Sequence, residues 1–198
     1  PDRDTWRLYS ATGLQLPVKT ISLNLGAPGD RCDEFGTLWL GFPRPKTVGR
    51  LEYTFDIGPK FVGAKDYVVV NEKQMEVTGQ QSPWVFNSMA RGLTSCSVPL
   101  RGKEDKPAVY SVRLCFSEVG DVTAGQRQFD IKLQGKVVAQ NVDVVKEAGG
   151  RGKALVRTFQ GVKVTDNLAV ELVPRSKGKA LHEVPILSAL EVQIEPSK

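Results

Sequence analysis

The 198-residue chain is 25% charged and 40% hydrophobic, with 27 Lys and Arg against 22 Asp and Glu for a formal charge of +5. That length buries most of the apolar surface of a single all-β domain without help from a metal or a disulfide framework. The basic residues are scattered rather than gathered into a stripe, which argues against a nucleic-acid partner. No run of 18 apolar residues and no charged-then-apolar start is present, so the chain as given neither inserts in nor targets a membrane.

The stretch from Pro1 to Pro17 mixes charges with isolated Trp6, Tyr9 and Leu14 and has no period. We read residues 1–17 as a lead-in segment or linker with its aromatics pinned to the body. The abrupt start at Pro1 fits a boundary inside a longer polypeptide, with any export signal upstream. From residue 18 to 195, short β-rich runs bounded by Gly, Pro, Asn and Asp recur at close spacing, the pattern of one sandwich or barrel rather than of βαβ units. Residues 196–198 form a tail.

Strands are expected at Thr20 to Asn24, Thr37 to Gly41, Leu51 to Ile57, Tyr67 to Val70 and Leu93 to Leu100. In Ala108 to Val119, Tyr110, Val112, Leu114 and Phe116 alternate with Ser111, Arg113, Cys115 and Ser117, and period two puts the first set on a buried face. Phe129, Ile131 and Leu133 alternate with Asp130 and Lys132, then Gln134-Gly135-Lys136 leads into Val137-Val138, which reads as a hairpin turned by glycine. Ala154 to Phe159, Leu168 to Val173 and Ser188 to Ile194 complete the set. No window sustains helical periodicity for three turns. Gly149 to Gly152 reads as a turn, since no strand-then-helix context makes it a phosphate loop.

Cys32, Cys96 and Cys115 are odd in number and lack CxxC spacing, against a zinc ribbon or a dense disulfide scaffold. Free, partly buried thiols are the expectation, with a bond between Cys96 and Cys115 left open. The lone histidine, His182, and the lack of a Gly-x-Ser-x-Gly elbow argue against a nucleophile–base triad. No spacing among the carboxylates selects a glycosidase pair. No cofactor is expected, although Asp30, Asp33 and Glu34 ahead of Gly36 are oxygen donors suited to a structural calcium ion or to Asx-type turns. Trp39 and Phe42 flank the turn Phe42-Pro43-Arg44-Pro45, and Trp84 and Phe86 follow Ser82-Pro83. Rings beside such loops are buried anchors, or a platform for a sugar or a protein partner.

From Tyr110 to Val119, and from Gly125 through Phe129-Asp130 to Gln134-Gly135, the order of residues resembles the centre of the malectin family. Val142-Asp143-Val144-Val145-Lys146-Glu147-Ala148-Gly149-Gly150 resembles its Asp-Ile-x-x-x-Ala/Val-Gly segment, and Pro185 to Val192 its closing strand. Leu23-Asn24-Leu25-Gly26 and Asp33-Glu34-Phe35-Gly36-Thr37-Leu38-Trp39 are similar to its opening motifs, so the resemblance runs from about Thr20 to Ile194, with Gly49 to Gln81 less typical. It implies an all-β jelly-roll sandwich of two antiparallel sheets, malectin-like and galactose-binding-like. It further implies no chemistry of its own and, in some members, an aromatic-lined site for glucose-containing oligosaccharides. Glu118 and Asp121 fall where the family places its ligand, but Gly120 and Asp121 stand where sugar-binding members carry an aromatic pair. The expected function is a non-catalytic carbohydrate-binding accessory module of a larger extracytoplasmic protein, secreted, periplasmic or at the cell surface. Its partners would be an oligosaccharide or polysaccharide and neighbouring domains, with Trp39, Phe42, Trp84, Phe86, Glu118 and Asp121 as ligand residues. The alternative is a structural or protein-interaction sandwich that has lost sugar binding.

Overall fold

The computed structural model describes residues 14–44, 47–48, 51–52 and 55–196, with backbone alone at 47–48 and 51–52. Trp6 and Tyr9 of the expected lead-in, part of the strand expected over Leu51 to Ile57 and the last two residues of the tail lie outside this range. The described strands are β1 (Thr20–Leu25), β2 (Arg31–Cys32), β3 (Leu38–Phe42), β4 (Thr47–Val48), β5 (Leu51–Glu52), β6 (Lys60–Val69) and β7 (Ser88–Pro99). They continue as β8 (Ala108–Ser117), β9 (Phe129–Leu133), β10 (Lys136–Val142), β11 (Ala154–Val164), β12 (Asn167–Pro174), β13 (Ile186–Leu187) and β14 (Ala189–Ile194).

One six-stranded sheet runs β11-β8-β14-β1-β3-β2, and the facing sheet runs β10-β9-β12-β7-β13 with β6 also paired to β7. All of these pairs are antiparallel except β1 with β3. Tyr110, Val112, Leu114, Phe116, Phe129, Ile131 and Leu133 all turn into the space between the sheets and are buried, as period two demands. Phe116 meets Phe129 across that space, ring centroids 5.7 Å apart. Each such side chain contributes roughly 1.5–3 kcal/mol by leaving water.

Between β9 and β10, Gln134 (φ 52°) and Gly135 (φ 75°) both take positive φ, the two-residue turn whose twist suits a hairpin. One α-helix among the described residues, α1 (Val144–Ala148), is added to the expected strands and leaves the all-β class intact. Five residues are too few to show a period, and local caps hold its ends. The Asp143 carboxylate accepts from the Lys146 N–H at 3.0 Å, the Glu147 carboxylate accepts from the Asp143 N–H at 3.0 Å, and Gly149 closes the helix at φ 77°.

Register fixes the two poles of the sandwich. Thr20 pairs with Gln193, so the first and last strands are neighbours whose outer ends share one pole. Asn24 faces Ala189, Ala189 faces Cys115 and Ser117 faces Ala154, which sends the loops after β1, β8 and before β11 to the opposite pole. Gly26 makes that turn at φ 84°, where a Cβ would stand 3.1 Å from the Met89 and Val68 backbones.

The excursion between β6 and β7 forms a second core. Val77, Val85 and Phe86, the last two in a 3-10 turn at Pro83–Phe86, pack with Trp39, Cys115 and Ala189 on the outer face of the first sheet. The excursion is stitched to the sheet edge where the Thr78 N–H donates to Gly152 O and the Ala154 N–H to Thr78 O. The three cysteines are free: Cys96 lies in the main core, Cys115 under the excursion, and Cys32 is exposed.

Candidate functional site

The loop pole gathers the residues singled out from the sequence but gives them separate jobs. Three of the four rings are buried. Phe42 closes β3 against Phe55 and Tyr67, edge to face at 6.2 and 6.3 Å. Phe86 and Trp39 fill the second core, and the Trp39 indole N–H donates to Asp33 at 3.0 Å. Each is apolar area that the outer sheet face or the core would otherwise leave wet, so the fold takes it. Trp84 alone of the four is half-buried, with the Arg31 guanidinium 4.4 Å from its ring centroid.

Glu118 is not a free carboxylate. It is 2% exposed, accepts from Arg127 Nε at 2.7 Å and from the Gly120 N–H at 2.8 Å. Arg127 is 2% exposed and donates onward to the Val184 and Leu181 carbonyls, tying the 118–127 loop to the stretch before β13. Burial pulls the Arg127 guanidinium below its ordinary pKa, against the opposing pull of the Glu118 carboxylate. Such a pair is held by geometry, since either charge alone would be stranded in a dry site. Asp121 is solvated and meets Arg151 at 2.8 Å.

The three residues considered for calcium do not converge. Asp30 receives Arg44 and the Gly41 N–H; Asp33 receives the Phe35 and Thr37 N–H groups and Trp39; Glu34 receives the Ser82 hydroxyl. Partial burial raises the Asp33 pKa, but the hydrogen bonds, Trp39 first, outweigh it and leave that carboxyl below its ordinary value. Among the described residues no cluster of His, Cys, Asp or Glu is arranged to hold a metal. Asp33 is the Asx-type anchor of a turn.

Between the loop after β1 and the excursion lies an open groove of about 630 Å³. Trp84 and Arg31 line one part, and Asn24, Asp30, Asn71 and Glu72 supply polar edges. Arg31 also pairs with Glu72 at 2.9 Å, so the guanidinium bridges the walls while it rests on the indole. Sequence reasoning missed Arg31, Asn71 and Glu72. The only signal, which covers Asn71 and Glu72 but not Arg31, was that the segment from Gly49 to Gln81 departs from the family pattern.

A two-sheet sandwich with a loop-pole groove and, among the described residues, no converged catalytic group defines a β-sandwich module of jelly-roll type. The malectin domain model matches residues 98–186, just under half of the chain, which span β8, the Glu118–Arg127 loop, the hairpin and α1. Receptor-like protein 4 of Arabidopsis thaliana is 38% identical over 85 residues, 42% of this chain and 13% of that protein. A probable leucine-rich repeat receptor-like serine/threonine-protein kinase of the same plant is 28% identical over 133 residues, 62% of this chain and 13% of the relative. The matched stretch thus spans about an eighth of these curated relatives. Among solved structures, the ANXUR2 extracellular domain of Arabidopsis thaliana superposes with a TM-score of 0.65 at 14% identity, covering 89% of this chain and 49% of the other. A Bacteroides uniformis β-glucuronidase 2 gives 0.65 at 15% identity, over 89% of this chain and 18% of the enzyme. Identities this low establish the fold. No helix among the described residues is long and apolar enough to cross a membrane.

Proposed function

We propose that this chain is a non-catalytic carbohydrate-binding accessory module of a larger extracytoplasmic protein, spanning residues 18–195, with its saccharide site in the groove beside Trp84. The observation that carries the reading is Trp84 itself, a half-buried indole in a groove edged by amide and carboxylate groups. An apolar ring face with a few polar groups at its edge suits a pyranose, which has one C–H face and a hydroxyl rim, once the exposed Arg31 side chain swings off the indole it rests on. The groove is open, so affinity is weak, with a dissociation constant on the order of micromolar to millimolar. Against catalysis, the loop-pole carboxylates Asp30, Asp33, Glu34, Glu72, Glu118 and Asp121 are each engaged by a protein donor, and His182 is exposed.

The test is a glycan array probed with the whole chain, followed by calorimetry of the hits with Trp84→Ala. Loss of at least about tenfold in affinity, with an unchanged melting profile, supports the groove. Hits that survive Trp84→Ala move the site elsewhere. The second reading, an interaction sandwich that has lost sugar binding, is favoured by the burial of Trp39, Phe42 and Phe86 and by Gly120-Asp121 in place of a ring pair. It predicts an empty array.

A further inference from the structure

Among the described residues, the excursion and its 3-10 turn roof one side of the outer face of the first sheet. They cover the row that contains Cys115 and Ala189 and the Trp39 end of the next row, where Ser22 is also buried while Glu191 and Arg113 are half-buried and Thr158 is exposed. In that row register sets Trp39, Ser22, Glu191, Arg113 and Thr158 side by side across five strands. Two cavities, of about 240 and 500 Å³, lie on this face and share Phe35, Thr37 and Glu191 as lining, so they are the two halves of one trough.

Phe35 stands where the halves meet. It is 63% exposed, yet its backbone is fixed: its N–H and that of Thr37 donate to the Asp33 carboxylate, and the Gly36 N–H donates to Asp33 O. An aromatic ring held in water by a braced turn is an exception to the pull that buried the other rings. Beneath it the floor mixes apolar Leu38 and Leu40 with polar groups that are already ordered. Glu191 accepts from Arg113 at 3.1 Å and from the Ser22 hydroxyl at 3.4 Å. Arg113 and Glu191 cancel in charge, and the Asp33 oxygens are taken up by three donors, so the trough selects neither a polyanion nor a polycation. Its remaining edge groups, Gln80, Gln81 and Gln193, are uncharged donors and acceptors.

We propose that this trough is a second binding site, separate from the Trp84 groove, for an uncharged oligosaccharide lying along the sheet face with one residue against the Phe35 ring. The ligand class rests on the carbohydrate-binding reading, whereas the site does not depend on Trp84. An extended chain of rings and hydroxyls, apolar on one face and polar at its rim, matches a neutral lining in which Leu14, Leu38, Leu40 and the Phe35 ring alternate with uncharged polar groups.

The test is an amide NMR titration of the whole ¹⁵N-labelled chain with maltohexaose, cellohexaose and xylohexaose up to millimolar concentration. The expected result is that at least one sugar shifts the Phe35, Gly36 and Glu191 amides, that Phe35→Ala weakens those shifts about tenfold, and that Trp84→Ala leaves them in place. Phe35 supports no core, so the variant should melt with the parent, and this is checked in parallel. Shifts confined to Asn71 and Trp84 overturn the trough while upholding the groove; shifts confined to the Phe35 face do the reverse. No shift anywhere overturns both. Shifts at Phe35 that grow with protein concentration alone assign the face to a second copy of this chain and overturn the sugar site.

Discussion

At the scale of single residues, chemistry follows burial more closely than residue type. Cys96 and Cys115 share the same side chain with Cys32, but burial pushes both thiols up to about 12. At pH 8 such a thiol is ionised to about one part in ten thousand, and the thiolate is the nucleophile. The native chain should therefore give one equivalent of thiol to an aromatic disulfide reagent at pH 8, from Cys32, and three after denaturation. Two or more equivalents from the native chain would mean that a core opens in solution, the main one if Cys96 reacts or the second if Cys115 does. Glu118 teaches the same lesson. Read along the chain it is a carboxylate ending an exposed loop; in space it is half of a buried pair. The sequence shows that Arg127 lies nine positions on, but not that the loop folds back to join them. Trp39, Phe42 and Phe86 were read as anchors or platforms; the three-dimensional position of the excursion decides for anchors at Trp39 and Phe86, and Phe55 and Tyr67 decide it at Phe42.

At the scale of elements, the Glu118–Arg127 pair is the knot of the loop pole, since it joins the end of β8 to the approach to β13. Arg127→Met strands a buried carboxylate and should cost about 3–5 kcal/mol, read as a fall in urea midpoint at constant slope. Adding Glu118→Gln removes the stranded charge, so the double variant should be less damaged than the sum of the singles. Additive losses would show that the two residues act independently. Strands such as β9, β12 and most of β8 were legible because their burial alternates locally and a period of two needs only five or six residues to appear, whereas β6 and β7, whose burial does not alternate, begin earlier than the expected Tyr67 and Leu93. The hairpin turn was legible for a related reason, as it is closed by adjacent residues; the helix cap at Asp143 is equally local, but five residues carry no period and the helix was not read from the sequence. Nor was the excursion. Its order comes from Thr78 bonding across to residues 152–154 and from Val77, Val85 and Phe86 meeting a sheet face built from β3, β8 and β14. None of those partners is near in sequence. The groove inherits this, because Asn71, Glu72 and Trp84 belong to the excursion and Arg31 to the short strand β2.

At the scale of the whole molecule, topology separates the ends of the first and last strands from the groove proposed for recognition. β1 and β14 lie side by side with Thr20 opposite Gln193, so chain leading into the first strand and out of the last departs from one pole. The groove beside Trp84 is at the other, where Asn24 and Ser88 end and begin their strands. Each intervening strand of β1 covers about 3.3 Å per residue, so the six residues from Thr20 to Leu25 alone put roughly 15–20 Å between the poles. A neighbouring domain fused after Ile194 should thus leave the groove clear. Joining a rigid fluorescent protein to the carboxyl end through a short linker should change the affinity for any Trp84-dependent glycan by less than about twofold. The lower trough, which reaches Thr20 and Gln193, lies beside the same pole as those strand ends and should feel the fusion if either site does. A fusion that abolished Trp84-dependent binding while sparing the Phe35 face would invert this geometry and with it the assignment of the loop pole as the recognition end.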